Sequence, residues 1–291
     1  MEACDSSLAV DFCIHQKDGT LMMRLFHFLK LTARKLYVEL LLKVLTWLGK
    51  NAIQVRLQSG QRLVVRVNDL AVSQLLEGET FEKGMREKIF ADVKPGMVVL
   101  DIGGNIGYYT VQLSPLVGPT GKVVVFEPNP TMIRELQRNV ELNRLSNVIV
   151  QPVALSDQAG EAEFHCPPSG WEGHGSLRPN MTFQTIGKIT VPTRRLDDVL
   201  EELKITSVDL IKIDVEGAEW GIFKGSPHLL SAARKPMIYF ECAEITCREF
   251  GHSVLDVLRD LSDRDYHIEQ IDYGIWCARP RLDNARKMAE A

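Results

Sequence analysis

The sequence predicts an α/β fold built on a doubly wound, mostly parallel sheet. Three observations carry that expectation. Apolar strand-length runs alternate with helix-spaced segments after Pro95, a glycine turn joins the first such strand to its helix, and the two last strands lie close enough in sequence to form a hairpin. The strands are expected at Met97-Asp101, Lys122-Glu127, Asn147-Pro152, Val208-Asp214, Pro236-Glu241, Tyr266-Gln270 and Ile275-Ala278, seven in all with the last antiparallel.

Ahead of this core, residues 1–72 read as an accessory region and residues 73–291 as the catalytic domain. From Leu21 to Leu48 the residues Arg24, His27, Lys30, Arg34, Lys35, Glu39, Lys43 and Thr46 recur every three to four positions between large apolar side chains, which predicts an amphipathic helix with a narrow basic stripe. Such a helix suits contact with a membrane surface, with a partner subunit or with the catalytic domain itself. Gly49 ends it, and Ile53-Leu57 and Arg62-Val67 alternate about Ser59-Gly60 as a hairpin. Helical spacing resumes from Ser73 to Val93. Between the third and fourth strands, residues 160–195 form a long excursion with β-like pieces at Glu161-Cys166 and Lys188-Thr193 and a glycine-rich loop.

Bulk properties narrow the partners. A chain of 291 residues with 45% hydrophobic residues is an ordinary globular protein, and a formal charge of -4 gives no global reason to hold a nucleic acid. The six cysteines, Cys4, Cys13, Cys166, Cys242, Cys247 and Cys277, show no CxxC pair or Cys/His cluster, so reduced thiols in a cytoplasmic compartment are expected and no metal site is assigned. No apolar run reaches about 18 residues and the first twenty lack the pattern of a secretory signal, so neither export nor a membrane span is expected, although a peripheral position on the inner face of a membrane fits the basic helix.

The chemistry concentrates at strand ends. In Val98-Val99-Leu100-Asp101-Ile102-Gly103-Gly104-Asn105-Ile106-Gly107-Tyr108, a buried strand passes through a glycine turn into a helix whose N-terminus suits a ligand carboxylate. About 20 residues later Glu127 closes the second strand, where a carboxylate accepts hydrogen bonds from ribose hydroxyls. The second glycine of a dinucleotide fingerprint is missing, Asn105 standing in that region, so a ribonucleoside with an aminoacyl tail fits better than a nicotinamide dinucleotide. Asp101, Gly103, Asn105, Gly107, Tyr108 and Glu127 are therefore candidate cofactor residues. Ser156 and Asp157 after the third strand are candidates for the adenine edge, with a turn-forming role for Asp157 as the alternative. At the mouth of the fourth strand, Ile213-Asp214-Val215-Glu216-Gly217-Ala218-Glu219 crowds three carboxylates.

Taken together, Leu100-Asp101-x-Gly103-x-Asn105-x-Gly107, Phe126-Glu127-Pro128, Ala154-Leu155-Ser156-Asp157, Thr193-x-x-Leu196-Asp197-Asp198 and Ile213-Asp214-Val215-Glu216-Gly217-x-Glu219 resemble the FkbM family of methyltransferases, from about Pro95 to Glu241. The resemblance implies a class I methyltransferase fold, Rossmann-like; the N-terminal helix and hairpin are an extension outside the shared pattern. The resemblance also implies methyl transfer from S-adenosyl-L-methionine to a hydroxyl of a small-molecule or glycan acceptor. An alcohol needs a base, so Asp214, Glu216, Glu241 and the loop residue His174 are the catalytic candidates, with Asp214 also a candidate for the cofactor's ammonium. Asp214 and Glu241 stand at neighbouring strand ends where a magnesium ion would sit, but too few oxygen ligands are assignable to commit to one. The competing readings are a non-catalytic cofactor-binding scaffold docked by its N-terminal helix and a nicotinamide-dependent sugar oxidoreductase.

Overall fold

The computed structural model describes residues 35–76, 82–179 and 184–281. The expected helix 21–48 is described from residue 35 as α1 (35–47), and its portion before that lies outside the described residues, as do Cys4 and Cys13. The hairpin follows as β1 (Ala52–Arg56) and β2 (Arg62–Arg66), then the helices α2 (Leu70–Leu76) and α3 (Lys83–Asp92). The alternating core comprises β3 (Val98–Ile102), α4 (Tyr108–Val117), β4 (Lys122–Phe126), α5 (Pro130–Leu142) and β5 (Val148–Gln151). The excursion contains β6 (Ala154–Leu155), β7 (Gly160–Cys166) and β8 (Gly187–Arg194), and is followed by α6 (Leu196–Glu202). The chain then runs through β9 (Leu210–Ile213), α7 (Glu219–Lys224), α8 (Pro227–Ser231), β10 (Met237–Glu241), α9 (Glu244–Glu249), α10 (Val254–Asp263), β11 (Tyr266–Asp272) and β12 (Ile275–Pro280).

The main sheet has seven strands in the order β11-β12-β10-β9-β3-β4-β5. β10, β9, β3, β4 and β5 pair in parallel, whereas β12 runs antiparallel to both β10 and β11. The predicted antiparallel last strand is therefore present. It lies one place inside the edge, because the short Tyr273-Gly274 turn returns it between β11 and β10.

Period-2 alternation explains why both faces of this sheet are covered. Leu100, Ile102, Val124, Phe126, Ile211, Ile213, Ile238 and Phe240 point into one buried cluster, and their neighbours Val99, Val123, Leu210 and Tyr239 point into the other. The helices that cover the faces start where their caps allow. Asn129 accepts the Thr131 N–H at 2.9 Å with Pro130 opening α5, and Ser253 and Asp256 form a reciprocal capping box on α10.

The expected division at residue 72 is not a division of the core. Leu57, Leu63 and Val65 of the hairpin belong to the same cluster as Val99 and Val123. Asn139 of α5 fastens the hairpin by accepting the Val64 N–H at 2.7 Å and donating to the Val64 carbonyl at 3.2 Å and the Ile106 carbonyl at 2.8 Å. Arg66 pairs with Glu135 at 2.6 Å. A two-stranded hairpin is marginal alone, so docking on α5 is what holds it.

The excursion forms its own three-stranded sheet, β6-β8-β7, and an isolated bridge between His165 and Ser176 folds the following loop back toward the main sheet. Among the described residues, no helix is long and apolar enough to cross a membrane.

Candidate active site

Gly103, Asn105, Glu127 and Asp214 reach the site at the carboxyl edge of the parallel strands, the position where open α/β sheets hold ligands. Gly103 follows β3 with φ at +80°, and a Cβ there would lie 1.8 Å from the Asp214 carbonyl oxygen. Only glycine permits the ends of β3 and β9 to approach so closely. Gly107, also at positive φ, is the N-cap of α4.

Between them Asn105 holds a left-handed conformation (φ 47°), and its N–H donates to Glu127 at 2.9 Å. The other Glu127 oxygen accepts the Asn129 N–H at 2.9 Å, so the carboxylate ties the glycine turn to the start of α5. Burial pushes its pKa up to about 7 against the opposing effect of these two N–H donors.

Gly103, Asn105, Glu127 and Asp214 line one cavity together with Phe126, Leu155 and Phe164. The lining fits a ribonucleoside with an aminoacyl tail: apolar side chains for a flat base, a strand-end carboxylate for ribose, and the Asn105 Oδ1, which is buried without a partner. Gly173, Gly175, Ser176 and Leu177 of the excursion complete the wall. Ser176 holds that wall to the fourth-strand turn by donating to the Glu216 carbonyl at 2.9 Å.

Behind Asp214 lies a charged cluster. The Lys212 ammonium is 3.3 Å from Asp214, 3.7 Å from Asp101 and 5.0 Å from the centre of the Tyr109 ring. Burial alone would lower the Lys212 pKa, but the Asp214, Asp101 and Glu82 carboxylates outweigh it and hold the lysine charged. Tyr109 donates to Glu82 at 2.7 Å, and carboxylate oxygens of Glu82, Asp214 and Glu241 lie within 4.8 Å of one another.

The crowding shows in their proton affinities. Burial and then the Asp214 charge raise Glu82 to about 7, the Asp214 charge and then burial raise Glu241 to about 8, and burial followed by Asp214 and Glu241 raises Glu216 to about 9. Such an all-oxygen set is of the kind that hard cations take, with Lys212 already compensating part of its charge. A second set, Glu219 with the free thiols Cys242 and Cys247, is fully buried, and its two sulfurs are 3.2 Å apart. There Glu219 accepts the Gly217 N–H at 3.0 Å and shapes the turn after β9.

Several sequence candidates stand elsewhere. Asp101 is fully buried behind the turn, accepting the Thr110 hydroxyl at 2.6 Å, and does not line the cavity. Tyr108 turns toward α3, where its hydroxyl accepts from Arg86 at 2.6 Å, because the first residue of α4 faces the buried cluster. Both support the turn from behind. Ser156 and Asp157 line a neighbouring depression, and Asp157 faces Lys224 at 3.6 Å, an attraction that draws its carboxylate away from the cavity. His174 sits in a short 3-10 turn (Glu172–His174) with its ring 5.5 Å from Trp171, on the segment that covers Asn105. Asp197, part of the quoted motif, accepts the N–H groups of His228 and Leu229 at the start of α8, a structural task.

Sequence reasoning missed Glu82 and Lys212. A lysine inside the otherwise apolar Leu210–Ile213 was a legible sign of a buried charge. Glu82 carried no such sign, since it sits in a helix-spaced segment where exposed acids are ordinary.

The comparisons with known proteins give the family. A family model described as the methyltransferase FkbM domain matches residues 101–268. The 2-O-methyltransferase NoeI of Sinorhizobium fredii is 32% identical over 195 residues, covering 62% of this chain and 77% of NoeI. The 31-O-demethyl-FK506 methyltransferase FkbM of Streptomyces tacrolimicus is 28% identical, covering 53% of this chain and 68% of the relative. The hexuronic acid methyltransferase AglP of Haloferax volcanii is 27% identical, covering 46% and 52%. With the strand order and the glycine turn in place, the chain belongs to the FkbM family of methyltransferases and uses S-adenosylmethionine as its methyl donor.

Proposed function

We propose that the chain transfers the methyl group to a hydroxyl oxygen of a sugar, a glycan or another hydroxylated natural product. The observation that carries this reading is the meeting of Glu82, Asp214 and Glu241 beside the cofactor cavity. The named activities of NoeI, FkbM and AglP support the acceptor class.

S-adenosylmethionine supplies a methyl group already activated on a sulfonium, so the protein's own work is alignment and proton removal. Glu127 holds the ribose hydroxyls, and the apolar lining at Phe126, Leu155 and Phe164 holds the adenine. The turn from Gly103 to Gly107 and the start of α4 face the aminoacyl tail. Asp214, on the cavity wall, orients the tail's ammonium and the acceptor together.

Glu82, Asp214 and Glu241 act as one coupled proton acceptor, whose members near 7 and 8 suit a base working close to neutrality. Glu216 stays protonated at neutral pH and donates rather than accepts. His174 and Trp171 pack ring against ring on the segment whose Gly173 and Gly175 line the cavity, which suits a lid over the acceptor. A cytoplasmic, reducing setting fits the free state of Cys242 and Cys247 despite their close approach.

The test is incubation with S-adenosylmethionine and a panel of hydroxylated sugars and polyols, with the methylated atom located by NMR. An O-methyl product, and a Glu241→Gln variant that loses kcat while retaining cofactor affinity, are expected. Methylation at nitrogen or carbon, or turnover unchanged in both Glu82→Gln and Glu241→Gln, would overturn the reading.

A further inference from the structure

The helix α1 is apolar on two opposite sides, and among the described residues only one of them is covered. Val38 is buried and Leu42 packs against the hydrophobic cluster of the domain. On the other side Leu36, Tyr37, Leu40, Val44, Trp47 and Leu48 are all exposed, Trp47 at 84%. At roughly 100° per residue these six span an arc of about 120°. Lys35, Glu39, Lys43 and Thr46 form a separate polar stripe along one flank. The Thr46 hydroxyl is satisfied within the helix by the Leu42 carbonyl at 2.9 Å, so it makes no demand for water.

An apolar band of this size on a charged protein marks a contact surface, and charge decides the occupant. Residues 24–50 carry six Lys or Arg against the single acid Glu39, a local +5 within a chain whose net charge is -4. Lys35 and Lys43 flank the band directly, and Lys50 follows it. A second copy of the chain would place like charges against each other, whereas an anionic bilayer offers hydrocarbon for the band and negative headgroups for the lysines. The indole N–H of a tryptophan at the rim suits the headgroup level.

We propose that α1 docks the enzyme on the surface of an anionic lipid bilayer, inserting Leu36, Leu40 and Trp47 with Lys35, Lys43 and Lys50 at the phosphates. The domain stays outside the bilayer, held by the opposite side of the same helix. Docking is independent of the acceptor proposed above, because none of these side chains lines the cofactor cavity.

The experiment is flotation of the full chain with phosphatidylcholine vesicles containing phosphatidylglycerol and with vesicles of phosphatidylcholine alone. Binding at least tenfold stronger to the anionic vesicles, weakened by salt, is expected. The triple variant Leu36→Ser, Leu40→Ser, Trp47→Ser should lose it while binding S-adenosylmethionine as the parent does. Should that variant misfold, Lys35→Glu with Lys43→Glu keeps the band and must still lose the anionic preference. Absence of binding, equal binding to neutral vesicles, binding that survives these substitutions, or a concentration-dependent dimer that the triple variant dissolves would each overturn the proposal.

Discussion

Glu216 offers the sharpest test of the charged cluster, through replacement by glutamine. In the folded protein its carboxyl is raised from 4.5 to about 9 by burial and by the Asp214, Glu241, Glu219 and Glu249 charges. A carboxyl whose folded pKa exceeds its unfolded value contributes stability that is complete below pH 4.5 and is lost as the pH rises through 9, because the unfolded chain releases the proton first. Each unit corresponds to about 1.4 kcal/mol, so at pH 8 the wild type has given up roughly 5 kcal/mol at the ceiling set by this shift. Glutamine keeps the shape and has no proton to lose. Glu216→Gln should therefore match the wild type near pH 4.5 and become more stable than it by about 2–5 kcal/mol at pH 8. Urea unfolding of both proteins at three pH values reads this directly, with unchanged m-values showing that the compared states are the same. A stability difference that stays flat between pH 5 and pH 8 would refute the burial of Glu216 among like charges.

Three further outcomes follow from the geometry. Gly103→Ala should abolish cofactor binding or folding, since its Cβ would occupy the position of the Asp214 carbonyl at 1.8 Å; circular dichroism with calorimetric titration separates the two. On the proposed ribose contact, Glu127→Ala should weaken S-adenosylmethionine binding by about 1–3 kcal/mol, and unaltered affinity would move the ribose elsewhere. Asn139→Ala removes two hydrogen bonds that anchor the hairpin and one to the Ile106 carbonyl of the glycine turn, and should lower stability by about 2–4 kcal/mol, with hydrogen exchange at Leu63 and Val65 rising first.

The parts legible in the sequence share one property: their physical cause is local. The strands Val98–Ile102 and Lys122–Phe126 declare themselves because β-branched residues run without polar interruption, which only a sheet covered on both faces accepts. The turn from Gly103 to Gly107 is readable because positive φ and close approach demand glycine in the chain itself. Glu127 is readable because a strand end fixes where its side chain goes.

Other contacts were settled by elements far apart in the chain. Glu82 precedes the glycine turn by about twenty positions, and only the packing of α3 against α4 brings it to Tyr109 and Asp214. The reading of Asp157 as an adenine contact overlooked Lys224, a helix away, and that of Tyr108 overlooked Arg86. The hairpin looked separable because its alternation is complete in itself, while the Asn139 amide that ties it to the core belongs to a helix 75 residues on.

By itself, then, the sequence determined the α/β class, the seven strands, the glycine turn and the nature of the methyl donor, since each rests on backbone conformation and side-chain period within short stretches. Tertiary structure alone decided which carboxylates share a site and how strongly each holds its proton. It also decided which side of α1 packs on the domain, because these properties depend on distances between segments that no local pattern encodes.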